Sequence, residues 1–216
     1  MTEKLVVVQD GILNLSGGDA NRLGLSAGVE FLIQEIPGGL LLRRTDPALT
    51  RVHVEPTTGC NLSCRTCVRH SWDEPTGFME MESYRALIRG LSQVPSLNRV
   101  SFWGFGEPLL HPDIVEMVSL AKGLGASTDL ITNGLLLTRE LAERLVEAGL
   151  DRLTVSIDGV STRGNADVRS GADLNAVLRN IEQLQQMRIT GSRENPEIRE
   201  KPEIWIEFVA MRRNVG

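Results

Sequence analysis

The chain has 216 residues, 41% of them hydrophobic, with a net charge of -5 and a pI near 5.3. That is enough apolar material for one ordinary domain and a small companion, while no apolar run approaches the ~20 residues of a membrane span. The acidic balance has the wrong sign for a chain that must neutralise many phosphates, so neither nucleic acid nor membrane is an expected partner. The first residues, MTEKLVVVQDG, lack the basic, apolar and small-residue regions of a secretory signal, which makes a cytoplasmic location the expectation.

Residues 1–46 read as short strands broken by turns. Segments 5–8 and 12–15 flank Asp10-Gly11, a hairpin dipeptide, and a short helical piece is expected around 19–23. Strands follow at 29–36 and 40–44 across Pro37-Gly38-Gly39. The order GILNLSGGDANRLGLSAGVEFLIQEIPGGLLLRR resembles the swapped-hairpin module of AbrB-type regulators, in which two chains interleave their hairpins. Those regulators bind DNA through basic residues. Here Lys4, Arg22, Arg43 and Arg44 stand against Glu3, Asp10, Asp19, Glu30, Glu35 and Asp46, which argues against DNA binding. A homodimer through residues 1–46, docking to a partner, or a structural cap are the expectations left.

From residue 51 the texture changes to alternating strand and helix. A strand at 51–55 leads into the cysteines, and Tyr84, Leu87, Ile88 and Leu91 mark one face of a helix. A strand at 100–103 precedes a helix carrying Ile114, Val115, Val118 and Ala121, opened by Pro112-Asp113 and closed near Gly123 or Gly125. After a strand at 127–131, Thr138 caps a helix with Leu141, Leu145 and Val146 that ends at Gly149. A strand at 153–157, a longer helix striped by Leu174, Val177, Leu178, Ile181 and Leu184, a polar stretch at 191–202 and a strand at 204–211 complete the pattern. Repeated units of this kind predict an α/β fold, a parallel sheet with helices outside, curved into a full or partial barrel. Chemistry in such barrels sits on the loops after the strands.

The first of those loops holds all the cysteines of the chain: Cys60, Cys64 and Cys67, as CNLSCRTC. An odd count without a secretory signal does not suit a disulfide framework. Three thiolates can grip one inorganic centre and leave a position open; a 4Fe–4S cluster is ordinarily held by four Cys, so one held by three has an iron free for a ligand that is not protein. A structural zinc ion is the alternative, because His70 could complete a Cys3His site.

The cysteine spacing together with the later loops resembles the radical S-adenosylmethionine (SAM) superfamily, over residues 51 to about 212. In that family the amino and carboxylate groups of SAM chelate the open iron, and one electron from the cluster cleaves SAM to methionine and a 5′-deoxyadenosyl radical. The resemblance implies a 4Fe–4S cluster and SAM as cofactors, with a ferredoxin or flavodoxin as electron donor. It implies roles in SAM binding for Gly104, Phe105, Gly106 and Glu107, in the place of the family's Gly-Gly-Glu-Pro motif, with Phe105 replacing the first glycine of that pattern. It implies the same for Asn133 of Thr132-Asn133-Gly134, for Ser156 and Asp158 beside the ribose, and for Arg169 beside the methionine carboxylate. Val209 and Met211 would wall the adenine. Thr66 stands where the family has an aromatic residue, so that contact must come from elsewhere, with Trp72 and Phe78 as candidates.

TTGCNLSCRTCVRHSW with GFGEPLLHP resembles maturases grouped with tungsten-containing aldehyde oxidoreductases, and the wider group that modifies peptides or builds cofactors. Such relatives carry auxiliary clusters on further cysteines and a sixth barrel strand. Their absence from the sequence makes a truncated chain the expectation.

Overall fold

A computed structural model describes residues 8–9, 12–13, 31–44, 49–71, 73, 75–194 and 201–214. The backbone clusters into two compact units, Met1–Leu49 and Thr50–Gly216. In the first, β1 (Val8–Gln9) pairs antiparallel with β2 (Ile12–Leu13), Gln9 opposite Ile12 and Val8 opposite Leu13. β3 (Phe31–Ile36) and β4 (Gly39–Arg44) form a second hairpin whose turn places Gly38 at φ +88°, a conformation that suits glycine. The helical piece expected around 19–23 lies outside the described residues.

The second unit carries the chemistry. β5 (Arg51–Val54), β6 (Arg99–Phe102), β7 (Ser127–Thr132), β8 (Arg152–Ser156) and β9 (Glu203–Glu207) form one parallel sheet in strictly sequential order. Right-handed crossovers in that order put the helices on one face and curve the sheet into a partial barrel. The connections contain α1 (Met81–Leu91), α2 (Ile114–Lys122), α3 (Arg139–Glu147), α4 (Thr162–Val168) and α5 (Leu174–Glu194).

Alternation along the strands sorts their side chains. Val54, Val100, Phe102, Leu130, Leu153 and Val155 face the helices and belong to one core with Tyr84, Met117, Leu145 and Leu184. Each large apolar side chain buried there contributes roughly 1.5–3 kcal/mol. Tyr84 has its ring in that core while its hydroxyl donates to the Met117 carbonyl at 2.7 Å, satisfying its one polar atom. The opposite face is polar: Arg99 and Ser101 donate to Asp129 at 3.0 and 3.3 Å, and the Arg152 guanidinium lies 4.2 Å over the Trp205 ring.

Two differences from the sequence reading have local causes. The last strand ends at Glu207, not near residue 211, because the Val209 amide donates to the Asp158 carboxylate at 2.9 Å and the Met211 amide to Asn214 Oδ1 at 2.7 Å. Val209 and Met211 therefore sit on a loop, not on the final strand. Helix α4 carries little sequence signal: Thr162–Val168 offers little apolar periodicity, and its start is set by Ser161, whose hydroxyl accepts the Gly164 amide at 3.1 Å. Among the described residues, no helix is long and apolar enough to cross a membrane.

Candidate active site

The cysteine loop is held by its two ends and its middle. Upstream, Thr57 bridges to Phe78, and its hydroxyl donates to the Gly77 carbonyl at 2.7 Å while accepting the Gly59 amide at 3.0 Å. Downstream, the Ser63 and Arg65 amides donate to the Ser170 and Val168 carbonyls, clamping the loop to the end of α4. Between them Leu62 is buried and its amide donates to Cys60 Sγ at 3.4 Å. Cys60, Cys64 and Cys67 are free and half-buried, and all three line one cavity of about 400 Å3. That volume lies within the usual range for a small-ligand site.

The wall opposite is built from the ends of β6 and β7. Glu107 is buried, with Oε1 accepting from the Leu109 amide (3.0 Å) and the Thr132 hydroxyl (2.6 Å), and Oε2 from the Asn133 amide (2.8 Å). Burial pushes its carboxyl above the usual range, against the pull of those three donors and of Arg169. Asn133 joins the two walls: its Nδ2 donates to Asn61 Oδ1, inside the cysteine motif, at 2.7 Å. Gly104, Phe105 and Gly106 line the cavity beside Glu107.

From β8 and beyond come Ser156 and Arg169, both on the lining. Asp158 is not on it. That side chain is buried, and its Oδ2 accepts Arg169 Nε at 2.6 Å while Oδ1 takes the Val209 amide. In its place the cavity is faced by Glu207, on β9, which accepts a long 3.4 Å hydrogen bond from Ser156. Sequence reasoning missed Glu207 for lack of any flanking motif, although its register opposite Ser156 follows once β8 and β9 pair.

The aromatic contacts also differ from expectation. Phe78 is exposed and packs edge-on against His111, away from the cavity, and Trp72 lies outside the described residues. Among the described residues, Trp103 and Phe105 are the aromatic ones on the lining. Trp103 follows the last residue of β6 and meets His53 edge-on, with ring centres 4.9 Å apart. His70 is exposed, is bonded to the cysteine loop through its amide, and is not on the lining. The Cys3His zinc alternative therefore draws no support from its position.

The donor set suits an iron–sulfur centre. Burial raises the Cys60 and Cys64 thiols above their ordinary value, outweighing the pull of the Leu62 amide on Cys60 and of Arg169 on Cys64. A cationic metal centre supplies the charge that holds such thiols as thiolates. Three cysteines on one loop, facing an acidic and an arginine-bearing wall across the C-terminal ends of parallel strands, define a cofactor-dependent partial-barrel fold.

The Radical SAM superfamily profile matches residues 54–193, and the chain belongs to that superfamily. Its members are enzymes that use a 4Fe–4S cluster and SAM. The chain is 29% identical over 163 residues to the tungsten-containing aldehyde ferredoxin oxidoreductase cofactor-modifying protein of Pyrococcus furiosus, covering 76% of this chain and 44% of that one. It is 34% identical over 143 residues to the AdoMet-dependent heme synthase of Oleidesulfovibrio alaskensis, covering 65% and 36%. The chain thus spans less than half the length of these relatives. Its fold is similar to that of BtrN in complex with AdoMet and 2-DOIA, with a TM-score of 0.53 and 23% identity over 76% of this chain and 58% of that one.

Proposed function

We propose that this chain is the SAM-cleaving part of a radical enzyme that matures a cofactor. The observation carrying this reading is the convergence of Cys60, Cys64, Cys67, Glu107 and Arg169 on one cavity at the strand ends. When bound, the cluster and SAM supply one-electron cleavage of SAM to methionine and a 5′-deoxyadenosyl radical, with the electron drawn from a ferredoxin or flavodoxin.

The roles of the residues follow from their chemistry. Cys60, Cys64 and Cys67 hold the cluster and leave one iron without a protein ligand. The loop Gly104-Phe105-Gly106-Glu107 offers backbone acceptors and a buried carboxyl to the amino group of SAM. Arg169, fixed by Asp158 at 2.6 Å, holds the methionine carboxylate. Ser156 and Glu207 face the ribose hydroxyls, a hydroxyl and a carboxylate suited to a vicinal diol. Asn133 serves by positioning, since its amide and side chain are committed to Glu107 and Asn61. The substrate class rests on the relatives whose names describe cofactor modification and heme synthesis.

The test is anaerobic reconstitution with iron and sulfide, followed by reduction in the presence of SAM. Formation of 5′-deoxyadenosine by the wild type and its absence in Cys64→Ala support the reading. A cluster-loaded wild type that forms none would end it.

A further inference from the structure

Glu55 is the first residue after β5 and does not line the cavity, yet its carboxylate reaches the loop that does. Its Oε1 accepts the Phe105 amide at 2.6 Å and the Gly106 amide at 3.2 Å. The next amide, of Glu107, donates to the Gly59 carbonyl at 2.8 Å. Three consecutive amides of the 104–107 loop are therefore spent on the segment 55–59, which runs directly into Cys60. The packing is correspondingly close. A Cβ on Gly104 would overlap the Glu55 carboxylate, and one on Gly106 would overlap the Thr57 carbonyl oxygen. Both glycines are required by this approach and not by a left-handed backbone.

A trans peptide holds its C=O opposite its N–H. Capping the Phe105 and Gly106 amides with one carboxylate therefore turns the Gly104 and Phe105 carbonyls away from Glu55. Residues 104–106 line the cavity, so backbone carbonyls of this stretch are among the acceptors available to an ammonium bound there. We propose that Glu55 is a positioning residue for SAM: by capping the Phe105 and Gly106 amides it fixes the carbonyls that receive the amino group, and it ties that loop to the cluster loop. The inference rests on the SAM-binding reading of the cavity. Its chemistry is that of an acceptor, so a glutamine, which keeps a carbonyl oxygen, can substitute where an alanine cannot.

Binding of SAM to anaerobically reconstituted holoenzyme, measured by equilibrium dialysis alongside iron and sulfide counts, tests it. Glu55→Ala weakens SAM binding about tenfold or more with iron content unchanged, and Glu55→Gln stays within about threefold of wild type, as expected for loss or retention of a hydrogen-bond acceptor. Gly104→Ala, which pushes the carboxylate off the two amides, shows the same defect. The double variant Glu55→Ala/Gly104→Ala is no weaker than Glu55→Ala alone, because both changes break one contact. Wild-type affinity in Glu55→Ala, equal loss in Glu55→Gln and Glu55→Ala, or defects that multiply in the double variant would each overturn the proposal. So would loss of iron from Glu55→Ala combined with full SAM binding by Gly104→Ala. Failure of the wild type itself to bind SAM would instead sink the reading of the cavity, before any variant is compared.

Discussion

Asp158 and Arg169 form an ion pair at 2.6 Å, with side chains only 3% and 16% exposed. The same carboxylate accepts the Val209 amide, and the Asp158 carbonyl accepts Asn214 Nδ2 at 3.0 Å, so one residue anchors both the cavity arginine and the loop that ends β9. Asp158→Ala removes the acceptor and leaves the mostly buried Arg169 guanidinium on the cavity wall without its ion-pair partner, which costs about 1–3 kcal/mol. Urea unfolding of the apoprotein should show this loss, and Arg169→Lys should itself weaken SAM binding, because lysine cannot reproduce the planar fork. An unfolding midpoint equal to wild type would contradict the anchoring role.

The cysteines behave differently. They are half-buried on a loop and belong to no core cluster, so their replacement should remove the cluster and spare the fold. Alanine at Cys60, Cys64 or Cys67 changes apoprotein stability by less than about 1 kcal/mol and abolishes iron retention. Iron and sulfide analysis with far-ultraviolet circular dichroism checks both halves. Retention of a full cluster by any one variant would remove that cysteine from the ligand set.

The proposed contact of Glu207 and Ser156 with the ribose is separable from the rest of the site. Glu207→Ala should weaken SAM binding about tenfold by loss of a charged acceptor. It should leave unchanged the affinity for an analogue lacking the ribose hydroxyls. Competition dialysis with the two ligands reads the difference; equal losses for both would place Glu207 elsewhere.

Asp151 sets a pH dependence of stability. Burial raises its carboxyl, but hydrogen bonds from Lys122, Lys201 and the Thr128 amide outweigh this, and the net shift is downward. A carboxylate depressed in the folded state stabilises the protein fully above its unfolded value of about 3.9, and that contribution is lost as pH falls through the lower folded value. The urea midpoint should therefore hold at higher pH and fall as pH drops from about 4 through the lower folded value, and Asp151→Asn should flatten the slope over the same window. An unchanged slope in the variant would assign the acid sensitivity to other groups.

Much of this architecture is legible in the sequence because its signals are local. The i, i+3, i+4 stripes of α1, α2 and α5 and the apolar strands between them give the order of the sheet, and glycines mark the turns. The cysteine loop is legible by spacing alone. What sequence could not give is contact between distant segments. Asp158 looks like a ribose ligand in its motif, yet the strand ends bring it 2.6 Å from Arg169 and turn it from the cavity. Glu55, Trp103 and Glu207 carry no motif, and only pairing of neighbouring strands brings them to the site or its supporting loop. The last strand is shorter than its apolar run because side chains of Asp158 and Asn214 capture its amides.

The central claim is an iron held by no protein ligand at the Cys60, Cys64 and Cys67 centre. Mössbauer spectroscopy of the 57Fe-reconstituted protein, recorded with and without SAM, tests it most directly. One iron should give a signal distinct from the others, and that signal should shift when SAM is added. Spectra that do not change with SAM, or a preparation that holds one zinc ion and no sulfide, would contradict it.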